Sequence, residues 1–127
     1  MALFLNGKKL LNSLVIDGQL PDTELEFVDI GTLKPNVYID RGSGAEVYYG
    51  GWYATDFIDI EDYSIVYRVS SLSGADWNAW YDSNKTYISG FGTSSVDNVP
   101  PGAKYVRYSC DSRMTDTNNR LIGYIST

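Results

Sequence analysis

The sequence predicts an all-β protein, an antiparallel sandwich or barrel, and three observations carry the prediction. Apolar residues alternate with polar ones in short runs at Val37/Ile39, Ile58/Ile60, Tyr63/Ile65/Tyr67/Val69 and Val106/Tyr108/Cys110, giving each strand one apolar face. Turn formers punctuate the runs at Arg41-Gly42-Ser43-Gly44, Tyr49-Gly50-Gly51, Ser73-Gly74-Ala75-Asp76, Asp97-Asn98 and Pro100-Pro101-Gly102. A composition 43% hydrophobic and 14% aromatic excludes wholesale disorder and favours the pleated surface that ring and β-branched side chains fit. At 127 residues the chain is long enough to bury a core as one domain without disulfides or metal.

Taken in order, residues 1 to about 34 form a distinct zone. They carry Leu3, Phe4, Leu5, Leu10, Leu11, Leu14, Val15 and Ile16, with Phe27 the one further aromatic, whereas the remainder is rich in Tyr and Trp. The boundary falls near Lys34-Pro35. Within the first zone, Leu3 to Leu11 reads either as a hairpin turning at Asn6-Gly7 or as the approach to a helical turn over Leu10 to Ile16, and periodicity leaves both open. Charge follows the apolar stretch at the N-terminus, the reverse of the order in a signal peptide, so the expectation is a chain made in a cytoplasm and not individually exported. No run of about 20 apolar residues is present to span a bilayer.

From Asn36 onward the strands follow one another. Ser64/Arg68 and Arg107/Ser109 fall on the faces opposite the apolar ones, so both arginines are expected on the outer side, Arg107 either pairing with a carboxylate of the neighbouring strand, the favoured role, or reaching a ligand. Tyr48-Tyr49-Gly50-Gly51-Trp52-Tyr53 reads as a loop, because two glycines free the backbone and four rings cannot all be buried in one loop. The stretch Trp77 to Gly90 reads as a β-hairpin, two aromatic runs joined by the turn formers Asp82-Ser83-Asn84-Lys85. Trp77 and Trp80, three apart in a strand, point to opposite faces; Trp80 shares its face with Asn78 and Asp82, and we assign it to the exposed side. Asp111 to Arg120 is a long polar excursion before the last strand.

Charge and residue usage exclude much chemistry. Sixteen acidic residues against ten basic ones, a net charge of −6, oppose the basic footprint of a nucleic-acid binder. The absence of histidine removes His-ligated zinc, Ser-His-Asp and Cys-His catalysis and the commonest general base near neutral pH. Cys110 is the sole cysteine, so no internal disulfide forms, and its place in an alternating run suits a small buried residue. Asp56, Asp59, Glu61 and Asp62 offer hard oxygen ligands for a structural Ca²⁺, with Asp56 and Asp59 the candidate ligands, but lack EF-hand spacing. Asp59 and Glu61 share an outward strand face, so a solvated surface is the stronger reading, and the expectation is no cofactor.

The segments Tyr53 to Ile60, Ala79 to Gly90 and Val99 to Ser109 resemble, in that order, a module of bacteriophage tail-fibre, baseplate and receptor-binding proteins. The resemblance covers roughly residues 35 to 127. It implies an antiparallel jelly-roll β-sandwich of carbohydrate-binding type over 35–127, with residues 1–34 as an N-terminal attachment or oligomerisation segment. It further implies a non-enzymatic virion protein that adheres to host cell-surface polysaccharide, contacts other virion proteins and forms a homo-oligomer, most naturally a trimer. Neither nucleic acid nor membrane insertion enters this expectation.

The candidate ligand-binding residues follow from side-chain chemistry. Sugars present C–H faces that pack on indole or phenol rings, here Tyr49, Trp52, Tyr53 and Trp80, while Asn78, Asp82 and Arg113 are placed to orient hydroxyls. The alternative is a purely structural virion subunit, for capsid decoration or baseplate assembly, whose rings lie in protein interfaces, since Tyr and Trp enrichment serves either. A glycosidase would need two carboxyl groups across a groove and shows no signature.

Overall fold

A computed structural model describes residues 23–126. The hairpin or helical turn expected within residues 3–16 lies outside these residues. The elements are β1 (Thr23–Val28), β2 (Leu33–Ile39), β3 (Glu46–Thr55), β4 (Ile58–Asp59), β5 (Ile65–Val69), β6 (Asn78–Tyr81), β7 (Tyr87–Phe91), β8 (Val96–Asn98), β9 (Tyr105–Arg107), β10 (Ser109–Cys110) and β11 (Arg120–Ser126), with short 3-10 turns at Ser70–Gly74 and Ser112–Thr115. Among the described residues there is no α-helix, and every strand pairing is antiparallel. The all-β expectation holds.

One sheet runs β1-β11-β5-β8; the others run β10-β3-β2 and β4-β9-β6-β7. The latter two join at Tyr108, which separates β9 from β10 and whose carbonyl accepts from the Thr55 amide at 2.9 Å. Two layers result, with a common core between them. Val28, Val66 and Leu121 of the first sheet meet Ile58, Trp80, Val106, Tyr108 and Cys110 of the second, so the architecture is sandwich-like. Cys110 is buried as expected, and burial pushes its thiol above the usual range.

The sequence locates several elements correctly. The hairpin β6–β7 turns through Asp82, whose carboxylate accepts from the Asn84 and Thr86 amides, with Lys85 in the left-handed region at φ 63°. A turn at Pro100-Pro101-Gly102, closed by the Ala103 amide on the Pro100 carbonyl at 3.2 Å, leads into β9. Met114 and Asn119 anchor the 111–120 excursion: Met114 is buried, and the Asn119 amide group donates to the Arg113 and Met114 carbonyls while accepting from the Leu72 amide.

Other expectations are corrected. In β5 it is Val66 and Arg68 that face the core; Ile65, Tyr67 and Val69 lie on the outer face, where Tyr67 pairs across the sheet with Ile122 and Ile65 with Tyr124. Asp97-Asn98 is strand, not turn, because Asp97 is the partner of Arg68. Tyr48 to Tyr53 is not a loop but the middle of β3. Residues 23–34, which the sequence places with the N-terminal segment, contribute β1, paired with β11 along its length, and the start of β2.

The buried Arg68 has a complete set of partners. Its Nε and Nη2 hold the two Asp97 carboxylate oxygens at 2.6 and 2.9 Å, Nη1 reaches the Leu72 and Ala75 carbonyls, and Nη2 also reaches the Gly92 carbonyl. The guanidinium lies 5.1 Å from the Phe91 ring centroid and 4.9 Å from that of Tyr108, whose hydroxyl donates to Asp97. Every N–H of this arginine is satisfied, the condition for keeping a charge inside a core.

The outer face of the second sheet is covered as well. Ala79 and Tyr81 of β6, with Ile39 and Ala54, form a second buried cluster against Val37, Phe57, Tyr87 and Tyr105. The cover is the arm made by β2 and β3 and their connecting loop, held by the Tyr87 hydroxyl donating to the Arg41 carbonyl at 2.7 Å and the Tyr81 hydroxyl donating to that of Gly44 at 2.6 Å. Gly90 permits this approach: a Cβ there would stand 1.8 Å from the Arg41 carbonyl oxygen. Both faces of β6 are therefore buried. Arg107, expected outside, is buried on this covered side, where it pairs with Glu46 at 2.6 Å, donates to the Thr55 carbonyl and lies 4.7 Å from the Phe57 ring centroid.

Candidate functional site

The site begins with a defect in the β2–β3 ladder. Pro35 pairs with Tyr53 and Val37 with Tyr48, so one residue of β2, Asn36, stands opposite the four residues Tyr49 to Trp52 of β3. Such a bulge re-aims side chains. In a regular strand residues 49 and 52 would face opposite sides. Here Gly51 takes φ +89° and Asn36 φ 62°, the Asn36 side-chain oxygen accepts from the Gly51 amide at 3.3 Å, and Tyr49 and Trp52 come to the same side.

Tyr38, Tyr49, Trp52 and Trp77 then line an open cleft of about 240 Å³. Tyr38 is the hub, its ring centroid 6.1 Å from Tyr49, 5.9 Å from Trp52 and 5.4 Å from Trp77; Tyr49 and Trp52 meet edge to face at 6.2 Å. Edge-to-face contacts of this kind hold rings in place and leave faces open to a ligand. Tyr49 is 56% exposed, and Tyr48, nearby on β3, is 78% exposed.

A charged pair adjoins the Trp77 wall. The Arg41 guanidinium lies 5.0 Å from the Trp77 ring centroid, and its Nη1 donates to the Asp76 carboxylate at 3.0 Å and the Asp76 carbonyl at 3.2 Å. The loop that carries Arg41 is the one seated on Gly90 and Tyr87, so the arginine backbone is fixed independently of its side chain.

The structure brings Tyr49 and Trp52 of the sequence candidates together and separates the rest from them. Trp80 is the main correction: it is 4% exposed and stacked on Phe91 at 4.6 Å in the core, while Trp77, on the other face, lines the cleft. Tyr53 packs against the main core. Asn78 is buried and consumed internally, donating to the Ala75, Phe91 and Gly92 carbonyls and accepting from the Ser109 amide. Asp82 serves the β6–β7 turn, and Arg113 pairs with Asp111 at 2.8 Å beside the 112–115 turn. Asp59 and Glu61 share Lys104, at 3.2 and 2.9 Å, which raises the Lys104 pKa; Asp56 accepts from the Phe57 amide. Among the described residues no three His, Cys, Asp or Glu side chains group as a metal site would require.

Tyr38 and Trp77 were missed as cleft residues. Tyr38 follows Val37 in a strand whose apolar face is carried by its neighbours, which placed it outward, a usable signal. No protein family, no curated protein and no solved structure matches this chain.

Proposed function

We propose that this chain is a non-enzymatic bacteriophage virion protein, of tail-fibre or baseplate type, that adheres to host cell-surface saccharide through the cleft of Tyr38, Tyr49, Trp52 and Trp77. The observation that carries the reading is the cleft itself: four rings converge on an open concavity, and the Arg41–Asp76 ion pair lies beside its Trp77 ring. Ring faces pack on the C–H faces of a pyranose, and a few placed polar groups supply orientation. The two antiparallel layers fit a jelly-roll sandwich of carbohydrate-binding type, and the resemblance over residues 35–127 supplies the virion context. Hydrolysis is not part of the proposal, because the residues lining the cleft are Tyr38, Tyr49, Trp52 and Trp77, and Asp76, next to Trp77 in the chain, is engaged by Arg41, whereas glycosidases set two carboxyl groups about 5–10 Å apart. Contacts of this kind are individually weak, so adhesion calls for several copies; linking sites raises avidity by about 10²–10⁴. A trimer on a fibre supplies that multiplicity.

The test is binding of the purified protein to a glycan array and to whole bacterial cells, for wild type, Trp52→Ala and Trp77→Ala, each shown to be folded. Saturable binding that both substitutions abolish supports the reading. Absence of binding to any glycan or cell at high protein concentration refutes it and assigns the rings to contacts with other virion proteins. The solvent-facing Tyr48 is the observation that favours that second reading.

A further inference from the structure

We infer that the outer face of the first sheet is a docking surface whose occupant is residues 1–22 of the same chain. The face is built from cross-strand rows. Phe27, Ile122, Tyr67 and Val96 are successive register partners in β1, β11, β5 and β8, so they share one side of the sheet. Tyr124 and Ile65 form the next row on that side, and the Tyr67 and Tyr124 rings meet edge to face at 6.2 Å. The Arg120 guanidinium lies 5.7 Å from the Phe27 ring centroid. None of these apolar side chains belongs to either buried cluster of the described residues. Yet Ile122, in the middle of its row, has no exposed surface, whereas Phe27 and Val96 at the ends are 51% and 43% exposed. Apolar rows of this kind call for a covering layer, as the β2–β3 arm covers the outer side of the other sheet.

Position, composition and charge name the occupant. Residues 1–22 lie outside the described residues and join the fold at Thr23, the first residue of β1, which is an edge strand of this sheet. Four strands about 4.8 Å apart span roughly 15 Å, which about five extended residues cross, so the segment is long enough to reach every row. Nine of its residues are Leu, Ile, Val or Phe, among them Phe4, Leu10, Leu14 and Ile16. Burying such side chains against the rows removes apolar surface from water on both partners. Lys8 and Lys9 balance Asp17 and Asp22, so residues 23–127 carry the whole of the −6. A second copy seated on the face would bring −6 against −6, and a neutral segment avoids that repulsion. Tethering also gives the segment a local concentration of roughly millimolar order, above that of free copies.

The experiment is paramagnetic NMR on the full chain. A nitroxide is attached at Ser13→Cys, within the apolar stretch; Cys110 is buried with its thiol pKa raised and stays unmodified. Ile and Val methyl signals are recorded with the nitroxide oxidised and then reduced. The expected result is loss of the Ile65, Ile122 and Val96 signals in the oxidised state, while Val37 and Ile39, beyond the second sheet under the β2–β3 arm, keep theirs. In Phe27→Glu/Val96→Glu, two positions exposed enough to accept the change, the Ile65 and Ile122 signals return, because charge on the face expels an apolar occupant. Signals still lost in the folded double variant overturn the inference; should that variant not fold, the other two samples decide. The third sample mixes nitroxide-bearing chains free of isotope with isotope-labelled chains free of nitroxide. Face signals lost there as fully as in the singly labelled protein overturn the inference in favour of a second copy. Face signals that survive in every sample overturn it as well and leave the face to a different protein.

Discussion

Replacing Asp97 by Asn leaves the shape of the core almost unchanged and removes one charge from the buried pair, which isolates the electrostatic part of the folding balance. Arg68 and Asp97 side chains are 0% and 5% exposed. Removing one partner of such a pair costs about 3–5 kcal/mol, because the remaining ion keeps its desolvation penalty and loses its attraction. Against a total stability of about 5–15 kcal/mol, that is about a fifth or more of the whole. At a urea slope of about 1.5 kcal/mol/M, the unfolding midpoint drops by roughly 2–3 M. The companion variant Arg68→Met/Asp97→Leu should lose far less. The carbonyls that Arg68 serves keep other donors: Leu72 retains the Ala75 amide, and Ala75 and Gly92 retain the Asn78 side chain. Tyr108 would lose its acceptor, a cost of about 1–3 kcal/mol. Equilibrium urea unfolding followed by tryptophan fluorescence reads both. A single variant within about 1 kcal/mol of wild type, or a double variant worse than the single, would refute the reasoning.

Gly90→Ala should lower stability by about 1–3 kcal/mol through overpacking and also reduce ligand binding, since the displaced 40–44 loop carries Arg41; thermal unfolding and a binding titration check the two together. Glu46 has its pKa lowered, first by hydrogen bonds from Lys34 and then by those from Arg107. A lowered carboxyl pKa contributes stability that is present above the unfolded value, 4.5, and is lost as pH falls through the folded one. Glu46→Gln should therefore destabilise at neutral pH and flatten the decline in stability below about pH 4.5, read as urea midpoints across pH 3–7. Tyr81, pushed up to about 12 chiefly by burial, carries the opposite sign: its contribution is complete below the usual tyrosine value and is lost as pH rises toward 12. Tyr81→Phe should flatten the alkaline limb.

How far the sequence could be read depended on whether one face of each strand met water. Alternation at Val106/Tyr108/Cys110 and the turn chemistry at Asp82 and Pro100-Pro101-Gly102 are local signals, and each gave the right element. In β5 the same logic chose the wrong face, because the inward Arg68 looks polar until Asp97, distant in sequence, is brought beside it. In β6 it failed for a different reason. The β2–β3 arm covers the outer side of the sheet, so Asn78 and Trp80 are buried on one face and Ala79 and Tyr81 on the other. Polar company therefore gave no clue that Trp80 lies in the core and Trp77 at the surface. The Gly50-Gly51 pair signalled irregular backbone correctly; that the irregularity is a strand bulge bringing Trp52 beside Tyr49 depends on the pairing with Asn36, which no local pattern records.

The central claim concerns which rings meet the ligand, and the three tryptophans allow it to be tested in one spectrum. Protein labelled with 5-fluorotryptophan gives three ¹⁹F resonances, assigned by Trp52→Phe, Trp77→Phe and Trp80→Phe, and is titrated with the saccharide that binds best. The account predicts that the Trp52 and Trp77 signals shift with one saturation curve while the Trp80 signal, from the buried ring stacked on Phe91, stays in place. Saturable binding that moves Trp80 and leaves Trp52 and Trp77 unchanged would contradict it.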